Sequence, residues 1–264
     1  MKTPSASSSG IATPLLQVHG LAKHFQGLRA VDDVSFDVQR GELVGLIGPN
    51  GAGKSTLFNC VAGALARTAG EVLFEGQRIA GLDPVRIARL GIARTYQNLR
   101  IFPDITVFDN VCAGAIGRIG ISLLGALLPA LGRKRDEAIA EATLSALTRF
   151  GLLEFADQPA GNLAYGQKKL LEIARALTLQ PKLLLLDEPA AGLNNTETTE
   201  LATLLRSLRD AGLTILLVEH DMPMVMRICD RIVVLDSGRK IAEGAPAAIR
   251  ADAAVRAAYL GDEA

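Results

Sequence analysis

The stretch LVGLIGPNGAGKSTLF, residues 43–58, decides the fold. Its first five residues are apolar and predict a short buried strand, a glycine-rich turn follows, and a helix is expected to begin near Gly53. The turn fits the spacing Gly-x-x-x-x-Gly-Lys-Ser/Thr, with Gly48, Gly53, Lys54 and Ser55 at the defining positions. Because a strand precedes this turn and a helix follows it, the stretch predicts a phosphate-binding P-loop within an α/β fold.

The chemistry of the loop explains its residue types. Gly48, Gly51 and Gly53 have no Cβ, so the backbone can curl with its N–H groups pointing inward. Those donors meet the positive end of the following helix, and together they form a site for phosphate oxygens. Lys54 is expected to bridge the outer phosphates as a point charge, and the Ser55 hydroxyl is expected to ligate Mg²⁺.

Composition restricts the classes of function. The chain has 264 residues, of which 49% are hydrophobic, enough for one large α/β domain with a sizeable core. Aromatic residues make up only 4%, Trp is absent, and 28 basic residues balance 28 acidic ones, so the chain offers no strong field or stacking surface for nucleic acid. Cys60, Cys112 and Cys229 are far apart and odd in number, which favours reduced thiols in the cytosol over a disulfide framework or metal site.

No segment predicts a membrane anchor. Residues 1–13 are rich in serine and lack a long apolar run, which predicts a disordered tail rather than a secretory signal. The weakly charged segment 111–132 contains Arg118, five glycines and Pro129, and its uncharged part after Arg118 has 14 residues. A spanning helix needs about 20 apolar residues, so the chain is not expected to form a membrane path by itself.

The patterns along the chain predict how the P-loop unit is embedded. Residues 15–40 alternate as β-strands do, and residues 70–79 predict a hairpin around Glu75-Gly76. Residues 98–165 are mainly helical in pattern and predict a helical subdomain inserted into a single domain at 14–264. Further predicted elements are a strand at 92–96 and helices at 106–115, 135–150, 162–178, 197–211 and 247–260.

Two more apolar runs end in chemically reactive residues. Residues 183–186 lead into Asp187 and Glu188, and residues 213–218 lead towards His220. A run that is apolar on both faces fits a central parallel strand, and ligands bind at the carboxyl ends of such strands. We therefore expect Asp187 to hold Mg²⁺ through its water shell, Glu188 to act as general base on the attacking water, and His220 to contact the γ-phosphate.

Taken together, the motifs resemble the ATP-binding cassette (ABC) ATPases, from about residue 15 to the end of the chain. They are GPNGAGKST at 48–56, Gln97, LAYGQ at 163–167, LLLLDEP at 183–189 and His220. The resemblance implies a P-loop NTPase (RecA-like) core with an N-terminal antiparallel β subdomain and an inserted α-helical subdomain. It also implies that nucleotide lies between two head-to-tail cassettes, with the P-loop of one facing the LAYGQ segment of the other.

The resemblance assigns roles by position. Phe25, which from pattern alone is either an exposed-loop aromatic or a half-buried strand residue, is implied to stack on adenine. Gln97 is implied to touch Mg²⁺ and report to membrane subunits, and Asn194 to lie in the loop that crosses the dimer. The nucleotide-binding residues so predicted are Phe25, Gly48, Pro49, Asn50, Gly51, Ala52, Gly53, Lys54, Ser55, Thr56, Leu163, Ala164, Tyr165, Gly166, Gln167 and Asn194. The predicted catalytic residues are Lys54, Gln97, Glu188 and His220, and the predicted Mg²⁺ ligands are Ser55, Gln97 and Asp187.

Some positions depart from the commonest family pattern. The family most often has LSGGQ where this chain has Ala164 and Tyr165, so the contact in trans must depend on backbone N–H groups and the helix N-terminus. The position of Asn194 most often holds Asp. These variants are similar to the ATP-binding subunits of branched-chain amino acid importers, as are the segments DEPAAGLN at 187–194, VEHDM at 218–222 and IRADAAVRAAYLG at 249–261.

The resemblance implies a peripheral subunit on the cytoplasmic face of the inner membrane that uses ATP and Mg²⁺ to power branched-chain amino acid import. Its implied partners are a second ABC ATPase chain, identical or different, membrane permease subunits and, indirectly, an extracytoplasmic substrate-binding protein, with no nucleic acid. Residues 98–103 and the apolar insert at 111–132 are expected to face the permease. Alternatives are an ATPase for urea, amides, other amino acids or lipid, a soluble ABC-type ATPase, and a non-hydrolysing regulatory subunit, which the complete catalytic set disfavours.

Overall fold

The structure is a computed structural model that describes residues 13–79, 81–119 and 129–260. The predicted tail at 1–13, apart from its last residue, lies outside these described residues. So do the middle of the apolar insert, at 120–128, and the end of the motif at 249–261.

The P-loop strand lies near the middle of a six-stranded sheet. Its order is β10-β9-β3-β8-β7-β6, and every neighbouring pair is parallel except β9 and β10. The strands are β3 (Leu43–Ile47), β6 (Ile92–Arg94), β7 (Leu183–Asp187), β8 (Thr214–Val218), β9 (Arg231–Asp236) and β10 (Arg239–Gly244). The predicted central parallel strands are therefore confirmed.

A second sheet of four strands, in the order β2-β1-β4-β5, contains the N-terminal part of the chain. All its pairings are antiparallel. The strands are β1 (Leu16–Phe25), β2 (Leu28–Val38), β4 (Ala69–Phe74) and β5 (Gln77–Arg78). The predicted antiparallel β subdomain and its hairpin at Glu75-Gly76 are thus present.

The helices cover the parallel sheet, and three of them lie in the sequence between β6 and β7. They are α1 (Lys54–Val61), α2 (Pro84–Leu90), α3 (Val107–Ile119), α4 (Pro129–Arg149), α5 (Tyr165–Thr178), α6 (Asn195–Asp210), α7 (Met222–Ile228), α8 (Pro246–Ala251) and α9 (Ala253–Leu260). Because α3 and α4 are inserted before α5, the predicted fold class with an inserted helical subdomain is confirmed. No helix among the described residues combines the length and apolar character needed to cross a bilayer.

Several predicted element limits were wrong for identifiable reasons. The helix expected at 247–260 is broken at Asp252, which is extended and whose Oδ1 accepts hydrogen bonds from the N–H groups of Ala254 and Val255 at 2.8 and 3.1 Å. The helix expected from Asn162 begins at Tyr165, because residues 160–162 form a 3₁₀ turn and Leu163 is extended. The strand expected at 92–96 ends at Arg94, beyond which the backbone turns towards α5.

The parallel strands are buried on both faces, as their apolar runs predict. Within β7, Leu184 and Leu186 pack in one hydrophobic cluster and Leu183 and Leu185 in the other, and all four are fully buried. The sheet therefore separates two apolar layers, and its strand ends are held in fixed positions relative to one another.

Replacing Leu185 by Ala should destabilise the protein by about 2–5 kcal/mol, because a fully buried leucine is removed and its cavity is only partly closed. Urea unfolding monitored by circular dichroism measures the change. Leu144→Ala is a matched control on α4, where the side chain is 44% exposed, and should change stability by less than about 0.5 kcal/mol. Equal effects of the two substitutions would contradict the assigned core.

Candidate active site

Three neighbouring strands of the parallel sheet bring polar groups together at their carboxyl ends. Strand β8 lies between β3, which leads into Gly48, and β7, which ends at Asp187. The Glu188 carboxylate lies at the meeting point, where its Oε2 accepts a hydrogen bond from Gln97 Nε2 at 2.9 Å and lies 4.0 Å from His220 Nδ1. Three of the four predicted catalytic side chains therefore lie together.

The glycines of the P-loop are required for different reasons. Gly48 has φ +152° and Gly53 has φ +93°, and a Cβ at these positions would lie 2.2 Å from Leu235 O and 2.3 Å from Ala30 O. Gly51 has φ +79° but open space around it, so only its backbone conformation favours glycine. Glycine is therefore needed at positions 48 and 53 because neighbouring strands pack closely against the loop, in addition to the space that a bound phosphate requires.

Lys54 is the first residue of α1 and lies inside the curl of the loop. Its Nζ donates hydrogen bonds to Gly48 O at 2.6 Å and Pro49 O at 2.9 Å, and the side chain is buried. Burial lowers the pKa of Lys54, and the nearby Glu188 carboxylate acts in the opposite direction. The first turn of α1 carries no acidic residue, so the Lys54 ammonium and the helix N-terminus both contribute positive charge at the start of α1.

A cavity of about 590 Å³ opens over the loop, within the range for small-molecule sites. It is lined by residues of the β1–β2 hairpin, the P-loop, Glu188 and the β9–β10 turn, namely Phe25, Leu28, Arg29, Ala30, Asn50 to Thr56, Glu188, Ser237 and Gly238. Phe25 is the last residue of β1 and is 43% exposed, so it both ends a strand and presents its ring. The Lys23 ammonium lies 4.7 Å from the centroid of that ring. The cavity thus offers an aromatic ring that suits the base of a nucleotide and backbone N–H donors that suit its phosphates.

The two adjacent carboxylates have different environments. Asp187 is buried, and burial raises its pKa against the lowering effect of Arg94, whose Nη2 lies 3.8 Å from Asp187 Oδ2. Glu188 has φ +47°, a left-handed conformation that is uncommon for a residue with a side chain, and its N–H donates to Val218 O at 2.9 Å. The strand thus ends at Asp187, and the turn of the backbone directs Glu188 towards the cavity.

Glu219 belongs to the site but was not predicted from sequence. It is fully buried, and its carboxylate accepts hydrogen bonds from the N–H groups of Ala190 at 2.7 Å, His220 at 3.0 Å and Asp221 at 3.4 Å. Burial raises its pKa, although the same hydrogen bonds act to lower it. Glu219 therefore joins the segment after β7 to the segment after β8. An acidic residue directly after the apolar run at 215–218 is the sequence feature that could have indicated it.

The LAYGQ segment, residues 163–167, lies at the start of α5. Ala164 is the N-cap, and Gln167 Oε1 accepts a hydrogen bond from its N–H at 2.9 Å. Tyr165 is exposed and packs against Gly192, where an added Cβ would lie 2.8 Å from the tyrosine Cε1. None of these residues lines the cavity over the P-loop within the described chain.

Asn194 has a structural role in this chain. Its Oδ1 accepts hydrogen bonds from the N–H groups of Thr196 at 2.9 Å and Glu197 at 3.0 Å, and Glu197 Oε2 accepts from the Asn194 N–H at 2.9 Å. This capping box begins α6. The contribution of Asn194 to nucleotide binding stays a prediction.

The donor set fits a magnesium ion. Ser55, Gln97 and Asp187 supply a hydroxyl, an amide oxygen and a carboxylate, which are the hard oxygen ligands that Mg²⁺ prefers. The described residues contain no cluster of three or more His, Cys, Asp or Glu suited to a metal ion.

Comparison with known proteins assigns the family. The family model described as ABC transporter matches residues 31–191, which include the P-loop, Gln97, the LAYGQ segment and Glu188. The chain belongs to the ABC transporter family. It is thus an ATP-binding, ATP-hydrolysing subunit of a transporter. A second model, described as branched-chain amino acid ATP-binding cassette transporter, matches residues 239–264.

Individual relatives agree with this ABC assignment. The chain is 46% identical over 255 residues to the high-affinity branched-chain amino acid transport ATP-binding protein LivG of Escherichia coli strain K12, covering 96% of this chain and 100% of that one. It is 44% identical over 255 residues to BraF of Pseudomonas aeruginosa, of the same description, with the same coverage of 96% and 100%. The crystal structure of the ADP conformation of MJ1267, an ATP-binding cassette of an ABC transporter, has a TM-score of 0.81 and 32% identity, covering 94% of this chain and 99% of that one.

Proposed function

We propose that this ABC subunit hydrolyses ATP, with Mg²⁺, to power an importer of branched-chain amino acids. The observation that carries the substrate class is the C-terminal match at 239–264 to the branched-chain amino acid type. The identities of 46% and 44% to LivG and BraF extend that likeness over nearly the whole chain. A further relative, the lipopolysaccharide export protein LptB of Escherichia coli strain K12, is less similar, at 35% identity over 248 residues, covering 94% of this chain and 98% of that one.

The geometry supports a role for each predicted catalytic group. Lys54 exchanges its hydrogen bonds with Gly48 O and Pro49 O for the outer phosphates, which the inward N–H groups of the loop also bind. Gln97, whose amide now donates to Glu188, would be one of the residues that hold Mg²⁺. Glu188 accepts a proton from the attacking water as the water oxygen bonds to the γ-phosphorus and the bond from that phosphorus to the ADP oxygen breaks. When bound, Mg²⁺ neutralises charge on the β- and γ-phosphates. His220, 4.0 Å from Glu188, donates a hydrogen bond to the γ-phosphate.

The site is completed by a second ABC ATPase chain, identical or different. The residues that line the P-loop cavity include Phe25, the loop and Glu188, while residues 163–167 lie outside it. The exposed start of α5, with Ala164 and Tyr165 at its N-terminus, is then free to contact the γ-phosphate bound by the other cassette. Two such cassettes close around ATP and drive permease subunits from the cytoplasmic face of the inner membrane, and an extracytoplasmic binding protein delivers the amino acid.

Transport assays test this proposal. The chain is reconstituted in proteoliposomes with the permeases, the second ATPase and the binding protein of its transporter, and uptake of labelled leucine, isoleucine and valine is measured with internal ATP. We expect ATP-dependent uptake of these amino acids that urea, short amides and lipid do not inhibit. ATP hydrolysis without uptake of any of the three would overturn the assigned substrate class.

Phe25→Ala should weaken ATP binding about tenfold, because stacking of a base on an aromatic ring contributes about 1–3 kcal/mol. Phe25→Tyr should retain binding because it keeps the ring. Isothermal titration calorimetry with ATP and with tripolyphosphate separates the effects, since tripolyphosphate has no base and should bind both variants equally. A parallel loss of tripolyphosphate affinity in Phe25→Ala would show that the substitution disturbs the P-loop rather than a base contact.

A further inference from the structure

We infer that Lys169 is a positioning residue that holds Glu188 and Gln97 in place and joins them mechanically to the LAYGQ segment of the same chain. This inference rests on the proposed function, because it concerns hydrolysis at the site described above.

The Lys169 side chain lies between the two catalytic segments. It is on α5, is only 3% exposed, and its Nζ lies 3.4 Å from Gln97 O and 3.4 Å from Glu188 O. These two carbonyls belong to segments that are 72 and 19 residues away along the chain. One buried ammonium therefore donates to the backbones of both residues whose side chains pair over the cavity.

Glu188 needs such support because of its backbone conformation. A residue with a side chain at φ +47° is strained, and strain of this kind persists only where the surroundings fix the backbone. Here the Glu188 N–H donates to Val218 O at 2.9 Å, and its carbonyl accepts from Ala191 N at 3.2 Å and from Lys169 Nζ at 3.4 Å. Of these three contacts, only the one from Lys169 is made by a side chain, so it is the only one that a substitution can remove.

Glu172 makes a complementary contact one helical turn further along α5. It is also 3% exposed, and its Oε1 lies 3.3 Å from the Tyr96 N–H nitrogen and 3.4 Å from that of Arg100. Residues three apart on a helix share a face, so Lys169 and Glu172 approach the loop around Gln97 together. The helix thus binds a carbonyl and two N–H groups of that loop, and loop and helix should move as one unit.

The N-terminal end of α5 carries the LAYGQ segment. Tyr165, which packs against Gly192, lies one turn before Lys169, and the Lys169 ammonium is 5.7 Å from its ring centroid. In the proposed dimer this helix end contacts the nucleotide of the partner cassette. A shift of the helix on that contact would reach Glu188 O and Gln97 O through Lys169 without an intervening flexible loop. Binding in trans is thereby coupled to the position of the base in cis.

Lys169→Met tests the inference in the assembled transporter. It keeps the length and apolar stem of the side chain and removes the donors. Because small displacements of catalytic groups have large effects on rate, we expect kcat for ATP hydrolysis to fall about tenfold or more, with ATP affinity of the isolated chain changed less than about twofold. Lys169→Arg should recover at least half of the lost activity because it restores the cationic donor.

Two controls distinguish positioning from general structural damage. Lys168→Met changes the neighbouring lysine, whose side chain forms no hydrogen bond or ion pair with the described residues, and should leave kcat unchanged. In a Glu188→Gln background, Lys169→Met should lower the residual rate by less than about twofold, because its effect acts through Glu188.

The outcomes are separable. Wild-type kcat in folded Lys169→Met would overturn the inference. So would a fall in the residual rate of Glu188→Gln, on adding Lys169→Met, that is as large as the fall Lys169→Met causes in the otherwise wild-type protein. If Lys169→Met does not fold, Lys169→Gln carries the same test, because its neutral amide lacks the charge and reach of the ammonium; wild-type kcat there would also overturn it. Failure of the proposed function is recognised differently, by absence of ATP hydrolysis in the wild-type complex itself.

Discussion

Replacing Glu188 by Gln is expected to lower the rate of ATP hydrolysis about a hundredfold or more while ATP still binds. A positioned general base contributes about 10²–10⁴-fold, and the amide cannot accept the proton of the attacking water. The substitution keeps the size of the side chain and its position between Gln97 and His220. Phosphate release by the assembled complex measures the rate, and calorimetry on the isolated chain measures ATP affinity.

Glu200→Gln is the matched control for this experiment. It makes the same chemical change on α6, where the side chain is exposed and is not among the residues that line the cavity over the P-loop. Hydrolysis in Glu200→Gln should equal that of the wild type. Near-normal hydrolysis in Glu188→Gln would remove Glu188 from the role of base and transfer it to another group at this edge.

Lys54→Ala should weaken ATP binding about tenfold to a hundredfold, the second of the two largest effects. A hydrogen bond from a charged group contributes about 1.5–3 kcal/mol, and the charge of Lys54 faces the position predicted for the outer phosphates. The loss should be larger for ATP than for AMP, which lacks those phosphates. Calorimetry with both nucleotides measures the difference.

The buried position of Lys54 requires a check on folding in the same experiment. Its Nζ donates to Gly48 O and Pro49 O, so the variant leaves two loop carbonyls without that donor. The melting temperature without nucleotide reports any damage to the loop, and Lys134→Ala on α4, where the lysine is exposed, controls for loss of a positive charge. Unchanged ATP affinity in Lys54→Ala would contradict the P-loop assignment.

The sequence predicted the parts of the site that depend on local pattern. A fully apolar strand ends at Asp187 and Glu188, and the spacing from Gly48 to Ser55 defines the loop, so both could be assigned before any contact was known. The antiparallel β subdomain was predictable for the same reason, since alternation and the Glu75-Gly76 turn are local features. Family resemblance then supplied the roles of Phe25 and Gln97, which pattern alone left open.

Contacts between distant segments could not be predicted in this way. Lys169, Glu172 and Glu219 bind backbone atoms rather than a recognisable partner side chain, and those atoms lie many residues away. A buried charge on an amphipathic helix looks like any solvated charge until the packing of the helix is known. Packing of the Gly48 and Gly53 Cα atoms against Leu235 and Ala30 was likewise not visible in the motif.

Some missed elements did have local signals. Helix α2 begins with Asp83, whose Oδ1 accepts from Arg86 N at 3.0 Å, followed by Pro84, and it ends at Gly91 with φ +104°. An Asp-Pro start and a glycine end are recognised helix limits. The break at Asp252 is a similar case, because an aspartate can begin a new helix as readily as it continues an old one.

In the proposed site two cassettes share each ATP, and the mass of the Glu188→Gln protein tests this arrangement directly. Light scattering after size exclusion is measured with and without ATP, for the chain alone and for the chain mixed with the second ATPase of its transporter. We predict that ATP raises the mass from that of one chain, 27.9 kDa, to that of a dimer. Adding Ala164→Asp, which places a charge at the exposed N-cap of α5, where an aspartate is compatible with the helix start, should abolish the dimer without lowering ATP affinity. A Glu188→Gln protein that binds ATP but remains monomeric, alone and with its partner, would contradict the shared site.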